Sequence, residues 1–567
     1  GSRTQAQVIL SSRGSPRHQP SLALSALPWP SSFHRMADAD PAPTNPTEYV
    51  EWALGKAGGA GKFQIRYLLA LGAPWAYSAM LAYVGTFAAS ATEQELVDCS
   101  PGVLGNITTD TFANFSALSN STTVSCALAV VDCMLPRDQW MYTDEKDTFV
   151  AAFSLVCDRS RLSPLVTTLY FFGFMFGVLF WGRVSDRCGR RVAFYLPAVF
   201  MQLGVLGMAL APNYAWFAAC RMLSGFGNSG FGLTSYVWTS EFLGMDSRSV
   251  MSWSPNVWWS VGQMLLSLVA WLIPAWRHLM MALFILGCMF LLYIPVVEES
   301  PKWLATQGRL EEAHAVLCRV AEVNGREAPP EPAAVDAEAK EDEPQTASSL
   351  QLLDPLLIKR LLIMCFAWFA TSIGFVGLSM NAASLPLNSY WANVVSGLTC
   401  IPAYMVAGPM IQSPRFGRKG TVAYSFVTCG VCLILSAMFQ DSEVVVIVLY
   451  YAATAAASLS FAVIYVWASE LFPTSLRGTA MGIQSLCARI GAMAAPFVEL
   501  AGGKAHPEIP LLLFAAPCLA AGFLCMLLPE TLGRPLPGTL ADVYAENGLL
   551  ERYDESNSDS EEESETQ

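Results

Sequence analysis

The chain has 567 residues, of which 53% are hydrophobic and only 14% charged, and its formal net charge is −13. So apolar a composition excludes an ordinary soluble domain. The negative charge is local to residues 327–343 and 554–565, and no basic patch interleaved with aromatics exists, so nucleic acid is excluded as a partner.

Residues 1–44 are rich in Pro and Ser and read as a disordered leader; the apolar stretch at 21–28 is too short and Pro-flanked for a signal peptide. Residues 45–65 read as an amphipathic lead-in. Within them Gly55-Lys-Ala-Gly-Gly-Ala-Gly61-Lys62 approximates a phosphate-binding loop, but the spacing is wrong and Phe63 stands where Ser or Thr is required. No nucleotide is expected there. A first apolar span falls at about 67–90, followed by a long polar loop, 91–160. Three glycosylation sequons (Asn106, Asn114, Asn120) and four cysteines (Cys99, Cys126, Cys133, Cys157) share that loop. Together they predict an oxidising, extracytoplasmic face, and the sequence leaves all three disulfide pairings open.

Further spans fall at about 163–182, 192–211, 214–238, 251–274 and 278–297. The connection from Gly182 to Arg191 carries Arg183, Arg187, Arg190 and Arg191, which marks it as cytoplasmic. Gly182 and Gly189 are expected to form its turn, and Asp186 to pair with an arginine or cap a helix. Gly225-Phe-Gly227-Asn-Ser-Gly230 has the spacing of a dinucleotide fingerprint, but no strand precedes it. Close helix packing is the reading that remains. Residues 299–357 are expected to be a cytoplasmic linker. It opens with an amphipathic helix near 310–323 whose apolar stripe suits the inner membrane surface, and it continues through a disordered Ala/Pro/Glu-rich stretch at 326–349.

Six more spans fall at about 359–380, 391–411, 421–439, 444–467, 478–500 and 509–528. Cys429-Gly-Val-Cys432 lies inside the ninth, where apolar surroundings keep thiols protonated, so neither redox nor metal chemistry is expected. Residues 531–567 form an acidic tail, in which Ser558 and Ser560 are candidate phosphorylation sites.

The two sets of spans repeat one another. Arg187, Gly189 and Arg190 recur, at one common offset, as Arg415, Gly417 and Arg418. Glu241 and Arg248 recur as Glu470 and Arg477, and Glu299 recurs as Glu530, all at nearly that same offset. Shared offsets of this kind indicate tandem halves, 45–298 and 358–530. The expected fold is therefore an all-α membrane protein of twelve transmembrane helices in two six-helix bundles related by pseudo-symmetry. Asp186, Arg187, Arg190, Arg191, Glu241, Arg248 and Glu299, with Arg415, Arg418, Glu470 and Arg477, are its candidate gating or charge-relay residues.

Ionisable groups inside spans mark pathways or pair with each other. Arg489 lies twelve residues past Arg477, roughly 18 Å along a helix, with no carboxylate in its own span placed to neutralise it. It is a candidate for binding the acidic group of a substrate. Tyr236, Phe375, Trp258 and Tyr465 are candidate aromatic lining, suited to organic cations. No Asp or Glu sits mid-span in the first or seventh span, which argues against proton coupling. No cofactor or metal is expected, sodium is left as a candidate coupling ion, and no nucleophile–base set points to an enzyme.

With these residues in view, the chain over about 45–545 resembles the organic ion transporters of solute carrier family 22, in the major facilitator superfamily. The resemblance rests on the loop ending Leu155-Val-Cys157-Asp158, the 182–191 connection, Glu299-Ser-Pro-Lys-Trp-Leu304, Glu470-Leu-Phe-Pro-Thr through Arg477, and Pro529-Glu530-Thr531. Gly377-Leu-Ser-Met-Asn381 and Ala488-Arg489-Ile-Gly491 look most similar to the member 15 branch. The resemblance implies two bundles rocking about a central cavity, cytoplasmic termini and a plasma-membrane location. It implies a small organic zwitterion or cation, carnitine- or ergothioneine-like, as substrate. Arg489 falls at the family's eleventh-helix position that tends to be Arg in anion or carnitine-type carriers, and Tyr236 and Phe375 at aromatic cavity positions. Pro414 departs from the pattern, standing where an acid is expected before Arg415. The other readings are an organic anion carrier, a sugar-type proton symporter, and a non-transporting receptor.

Overall fold

The computed structural model describes residues 45–58, 61–89, 97–99, 140–142, 148–155, 159–243, 250–293, 297–331, 349–382, 385–502, 506, 508–534 and 536–546. Three of the sequence expectations lie outside them: the sequons Asn106, Asn114 and Asn120, the cysteines Cys126, Cys133 and Cys157, and Arg248. Cys99 is described as backbone only. The leader 1–44, the stretch 332–348 and the tail from 547 lie outside as well. The described residues belong to one compact unit.

Twelve long helices dominate the described residues. The first set is α2 (Lys62–Ala89), α4 (Leu162–Cys188), α5 (Arg190–Ala209), α6 (Tyr214–Phe242), α7 (Val250–Leu272) and α8 (Trp276–Cys288, continued by a 3-10 turn, Met289–Tyr293). The second is α11 (Pro355–Asn381), α12 (Ser389–Gln412), α13 (Gly417–Met438), α14 (Glu443–Glu470), α15 (Thr474–Gly502) and α16 (Glu508–Cys525). Shorter helices are α1 (Pro46–Lys56), α3 (Phe149–Ala152), α9 (Pro301–Thr306), α10 (Leu310–Asn324) and α17 (Leu540–Glu546). Strands β1 (Val97–Cys99) and β2 (Trp140–Tyr142) pair antiparallel at the two ends of the long loop. Among the described residues, nine helices are long and apolar enough to cross a membrane by length and composition. Outward residues are apolar too: Trp391 on α12, Val444 on α14 and Leu292 in the turn after α8 are each about two-thirds exposed or more. Hydrocarbon, unlike water, accepts such a surface.

The packing follows one plan twice. In the first set α5 lies on α6, α4 on α6, α2 on α7 and α8 on α5; in the second α13 lies on α14, α12 on α14, α11 on α15 and α16 on α13. The halves meet where the second helix of each touches the fifth of the other, α4 on α15 and α12 on α7. That reciprocal exchange is what a two-fold relation between halves produces.

Small residues bring α4 and α6 into contact. A Cβ on Gly173 would lie 2.1 Å from the Met222 carbonyl oxygen, and one on Gly225 would lie 2.0 Å from that of Tyr170. Gly227 and Gly230 press likewise on α5 backbone and on Trp181. The glycine spacing at 225–230 thus encodes helix approach.

Two expectations need correction. Gly182 lies inside α4, which runs on to Cys188; Gly189 alone makes the turn, with φ +93°. The apolar stripe of α10 is not left for a membrane surface. Leu317 joins Tyr49, Val50, Ala53, Leu54 and Ala305 in a small core shared by α1, α9 and α10. There the Tyr49 hydroxyl lies 2.7 Å from the Pro330 carbonyl and 2.9 Å from His314 Nδ1, and burial pushes its phenol up to about 12. Asn324, at the end of α10, ties this core to the first long helix. Its amide donates to the Ala57 and Gly58 carbonyls, and its oxygen accepts from Phe63 N at 2.8 Å.

Gly225→Val should destabilise the first bundle by roughly 1–3 kcal/mol or more, since backbone cannot retreat as a side chain can. Thermal unfolding of the purified protein in detergent measures this, with Gly478→Val, where no atom lies within 4 Å, as the tolerated control.

Candidate functional site

Two carboxylate clamps, one per half, lie at the end of the molecule opposite the long loop. In the first, the Arg190 guanidinium forks onto Glu241, with Nε to Oε2 at 3.0 Å and Nη2 to Oε1 at 2.7 Å. Its Nη1 donates to the Ser185 carbonyl at 2.7 Å and to Asp186 at 3.3 Å. Glu299 accepts the backbone N–H groups of Arg190 and Arg191 at 3.0 and 3.1 Å. A carboxylate there meets the positive end of α5 and satisfies two donors that lack helical partners. Trp303 donates to the Asp186 carbonyl at 2.9 Å.

The second clamp copies the first. Arg418 donates to Glu470 at 3.1 Å from both Nε and Nη2, and Glu530 accepts Arg418 N and Lys419 N at 2.9 and 3.0 Å. Thr531 also hydrogen-bonds to Glu470. Gly417 occupies the turn at φ +61°, where a Cβ would lie 2.3 Å from Glu530 Oε2. Pro414 offers no carboxylate, so Arg418 Nη1 turns instead to the Ile411 carbonyl at 3.0 Å.

Each clamp is closed within its own half. Glu470 is taken by Arg418 rather than by Arg477, whose Nε and Nη2 are enclosed without a hydrogen-bond partner among the described residues. Arg187 and Arg415 are exposed. Several contacts that join the halves lie toward the loop side. Phe87 stacks on Tyr390, Thr168 Oγ1 donates to the Met493 carbonyl at 2.8 Å, and Asn393 bonds to Gln263 and Ser267.

Arg489 lies midway along α15 and points across to the other half, its Cζ 4.4 Å over the ring of Phe174 on α4. Its Nε is enclosed and has no hydrogen-bond partner among the described residues. One turn earlier on α4, Tyr170 carries a second guanidinium, that of Arg221, at 4.3 Å. Arg221 is satisfied otherwise, donating to the Leu81 and Ala82 carbonyls at 2.7 and 3.2 Å. Asn228 bridges Ser78 Oγ, at 2.7 Å, and the Tyr170 hydroxyl, so this corner of the first half is a closed polar network.

Aromatic walls stand on both sides. Tyr236 packs edge-on to Trp75 at 6.4 Å, and Tyr465 edge-on to Trp368 at 4.4 Å. The offset from Tyr236 to Tyr465 equals that from Glu241 to Glu470, and the offset from Trp75 to Trp368 equals that between the starts of α2 and α11. The two pairs are therefore counterparts. Tyr236 is 40% and Tyr465 38% exposed, although the two are within electrostatic reach of each other across the halves. They line a gap. Phe375 is buried behind Phe461, with ring centroids 5.0 Å apart. Trp258 is placed against Gly72 in the α2–α7 crossing. Its neighbour Trp259 takes the position expected of it, 6.3 Å from Trp75 and 5.8 Å from Tyr83. Trp258 thus packs where lining was expected, because α7 turns adjacent residues about 100° apart.

The sequence reading did not single out Phe174, Tyr170 or Asn228. No offset flags them; only the fold brings α4 under α15. Among the described residues no group of three His, Cys, Asp or Glu could hold a metal.

Compared with known proteins, residues 104–539 match the family described as sugar (and other) transporter. An organic cation transporter protein of Drosophila melanogaster is 32% identical over 437 residues, 75% of this chain and 77% of that protein. Solute carrier family 22 member 6 of Mus musculus is 28% identical over 520 residues, 86% of this chain and 93% of that protein. Among solved structures, the xylose transporter XylE from E. coli superposes with a TM-score of 0.56 at 17% identity, over 84% of this chain and 98% of that one. The last shows a common fold alone.

Removing one side of a clamp leaves a largely buried charge without its partner. Arg190→Ala should cost roughly 3–5 kcal/mol, whereas Asp186→Ala, whose side chain is 78% exposed, should cost about 1 kcal/mol or less. Melting temperatures of the two variants in detergent check the order.

Proposed function

Since the chain belongs to the sugar (and other) transporter family, with relatives in solute carrier family 22, we propose that it carries small organic zwitterions or cations, carnitine- or ergothioneine-like, across the plasma membrane. The termini lie in the cytoplasm on this reading, because the arginine-rich clamps share their side of the bilayer. The proposal takes the chain's motifs at 377–381 and 488–491 as similar to those of the member 15 branch.

The observation that carries the reading is Arg489, an embedded guanidinium with a ring behind it and no ion pair among the described residues. A permanently charged, planar donor set suits a substrate carboxylate. The Trp75–Tyr236 and Trp368–Tyr465 pairs supply π faces for a cationic head on the same substrate. Movement follows from where the bonds are. Each half is pinned internally by its clamp, while the halves touch through stacking and a few neutral hydrogen bonds on the loop side. With that side shut, the exposure of Tyr236 and Tyr465 comes from the clamp side. Rocking the halves would exchange the two openings, with Asp186, Glu241, Glu470 and Arg477 changing partners. Sodium is the coupling ion this reading allows.

An organic anion carrier of the same fold is the second reading, favoured by the absence, among the described residues, of an acid paired with Arg489. A sugar-type proton symporter lacks the mid-span acid it would need, and a receptor would bind without flux.

Uptake of labelled carnitine, ergothioneine and a simple quaternary ammonium cation, in cells expressing wild type and Arg489→Ala, separates these. Loss of a charge-assisted hydrogen bond should lower zwitterion uptake about ten- to a hundredfold and spare the simple cation. Undiminished zwitterion uptake by a variant present at the cell surface would sink the reading.

A further inference from the structure

α4 presents two rings one helical turn apart, Tyr170 and Phe174, and each carries an arginine. The arginines come from opposite halves, Arg221 from α6 and Arg489 from α15. Their remaining contacts differ sharply. Arg221 has two backbone carbonyls and is 1% exposed. Arg489 has the Phe174 ring, an enclosed and unpartnered Nε, and no ion pair among the described residues. The first is a finished structural site. The second is half of one.

We propose that Phe174 is a specificity-determining residue for the carried solute: it holds the Arg489 guanidinium from the opposite half and so fits it to a carboxylate-bearing substrate. The inference rests on the transport reading above. A π face offsets the cation's charge without accepting its N–H groups as a carboxylate would. The donors therefore stay available, and the flexible side chain is fixed before substrate arrives. Pre-ordering of this kind strengthens binding by lowering what must be immobilised on association. It acts on the acidic end of a substrate and leaves a cationic head, held elsewhere by Tyr236 and Tyr465, untouched. Because α4 and α15 belong to different halves, the stacked pair also assembles only in states that bring those helices together.

The test compares three variants by initial-rate uptake and by surface labelling: Phe174→Leu, which keeps volume and removes the π face, Phe174→Trp, which restores one, and Phe174→Ala. The probes are glycine betaine, which carries a carboxylate, and tetramethylammonium, which does not. Phe174→Leu should raise the half-saturating concentration of glycine betaine about three- to thirtyfold, leave the maximal rate within about twofold, and leave tetramethylammonium unchanged. Phe174→Trp should recover most of the loss, and Phe174→Ala should match or exceed it. Equal shifts for both probes, or a fall confined to the maximal rate, would mean that Phe174 merely packs the interface, and the inference fails. Wild type that takes up tetramethylammonium but not glycine betaine overturns the zwitterion reading and this inference with it. Normal betaine uptake by Phe174→Leu overturns the inference alone.

Discussion

A guanidinium cannot be neutralised by giving up its proton, so every arginine taken out of water must be matched by something in the protein. This chain meets that requirement in three ways. Arg190 and Arg418 receive carboxylates, at the boundary where two helices begin and end. Arg221 receives carbonyl oxygens from a neighbouring helix. Arg489 receives only a ring among the described residues. Arg477, near the clamps, has an enclosed Nε and Nη2 without a partner among the described residues, so incomplete compensation occurs both at the clamp end and, at Arg489, between the halves.

Duplication explains why the clamps look alike and where they differ. Glu299 and Glu530 each accept the first backbone N–H groups of the third helix in their half, beside a glycine whose missing Cβ makes room. The likeness reaches the interior. Tyr450 follows Arg221 at the offset that relates Glu470 to Glu241, and it hydrogen-bonds to the Leu378 carbonyl on α11, as Arg221 bonds to carbonyls on α2. A neutral phenol has replaced a cation in the same anchoring role. Pro414 in place of an acid changes the second clamp in a similarly local way, with one backbone carbonyl substituting for one carboxylate.

Much of this was legible in the order of residues. Spans of about twenty apolar residues and a recurring offset between matched charges mark the helices, the halves and the residues of both clamps, though not which of those residues pair, because hydrocarbon thickness and tandem repetition leave direct marks. Arg489 is conspicuous as a charge without company. What stays hidden is whichever side chain meets it from another helix. Phe174 sits in a run of aromatic residues on α4, and nothing in that run distinguishes it from Phe172 or Phe176, which are well exposed on the outer surface. The rotation of α4 and its crossing with α15 decide the matter, and the rotation depends on glycines that meet α6 rather than on any periodic signal. The rotation of α7 likewise sets Trp258 against Gly72 and Trp259 against Trp75 and Tyr83. Helix ends were partly readable after the fact: Asn213, Ser300, Asp354 and Asn388 each accept a bond from the first turn they precede.

The positions of the two pinning glutamates have a consequence for biogenesis. Glu299 follows the sixth long helix and pins the start of α5, more than a hundred residues upstream, so the first bundle can lock once that residue has emerged from the ribosome. Glu530 likewise pins the start of α13, also more than a hundred residues upstream, and is translated only after α16. In each half, then, the start of the third helix waits for a carboxylate that follows the sixth, and the second clamp closes last. A chain whose synthesis stops short of residue 530 would carry one clamp complete and the other without the carboxylate that holds its helix start.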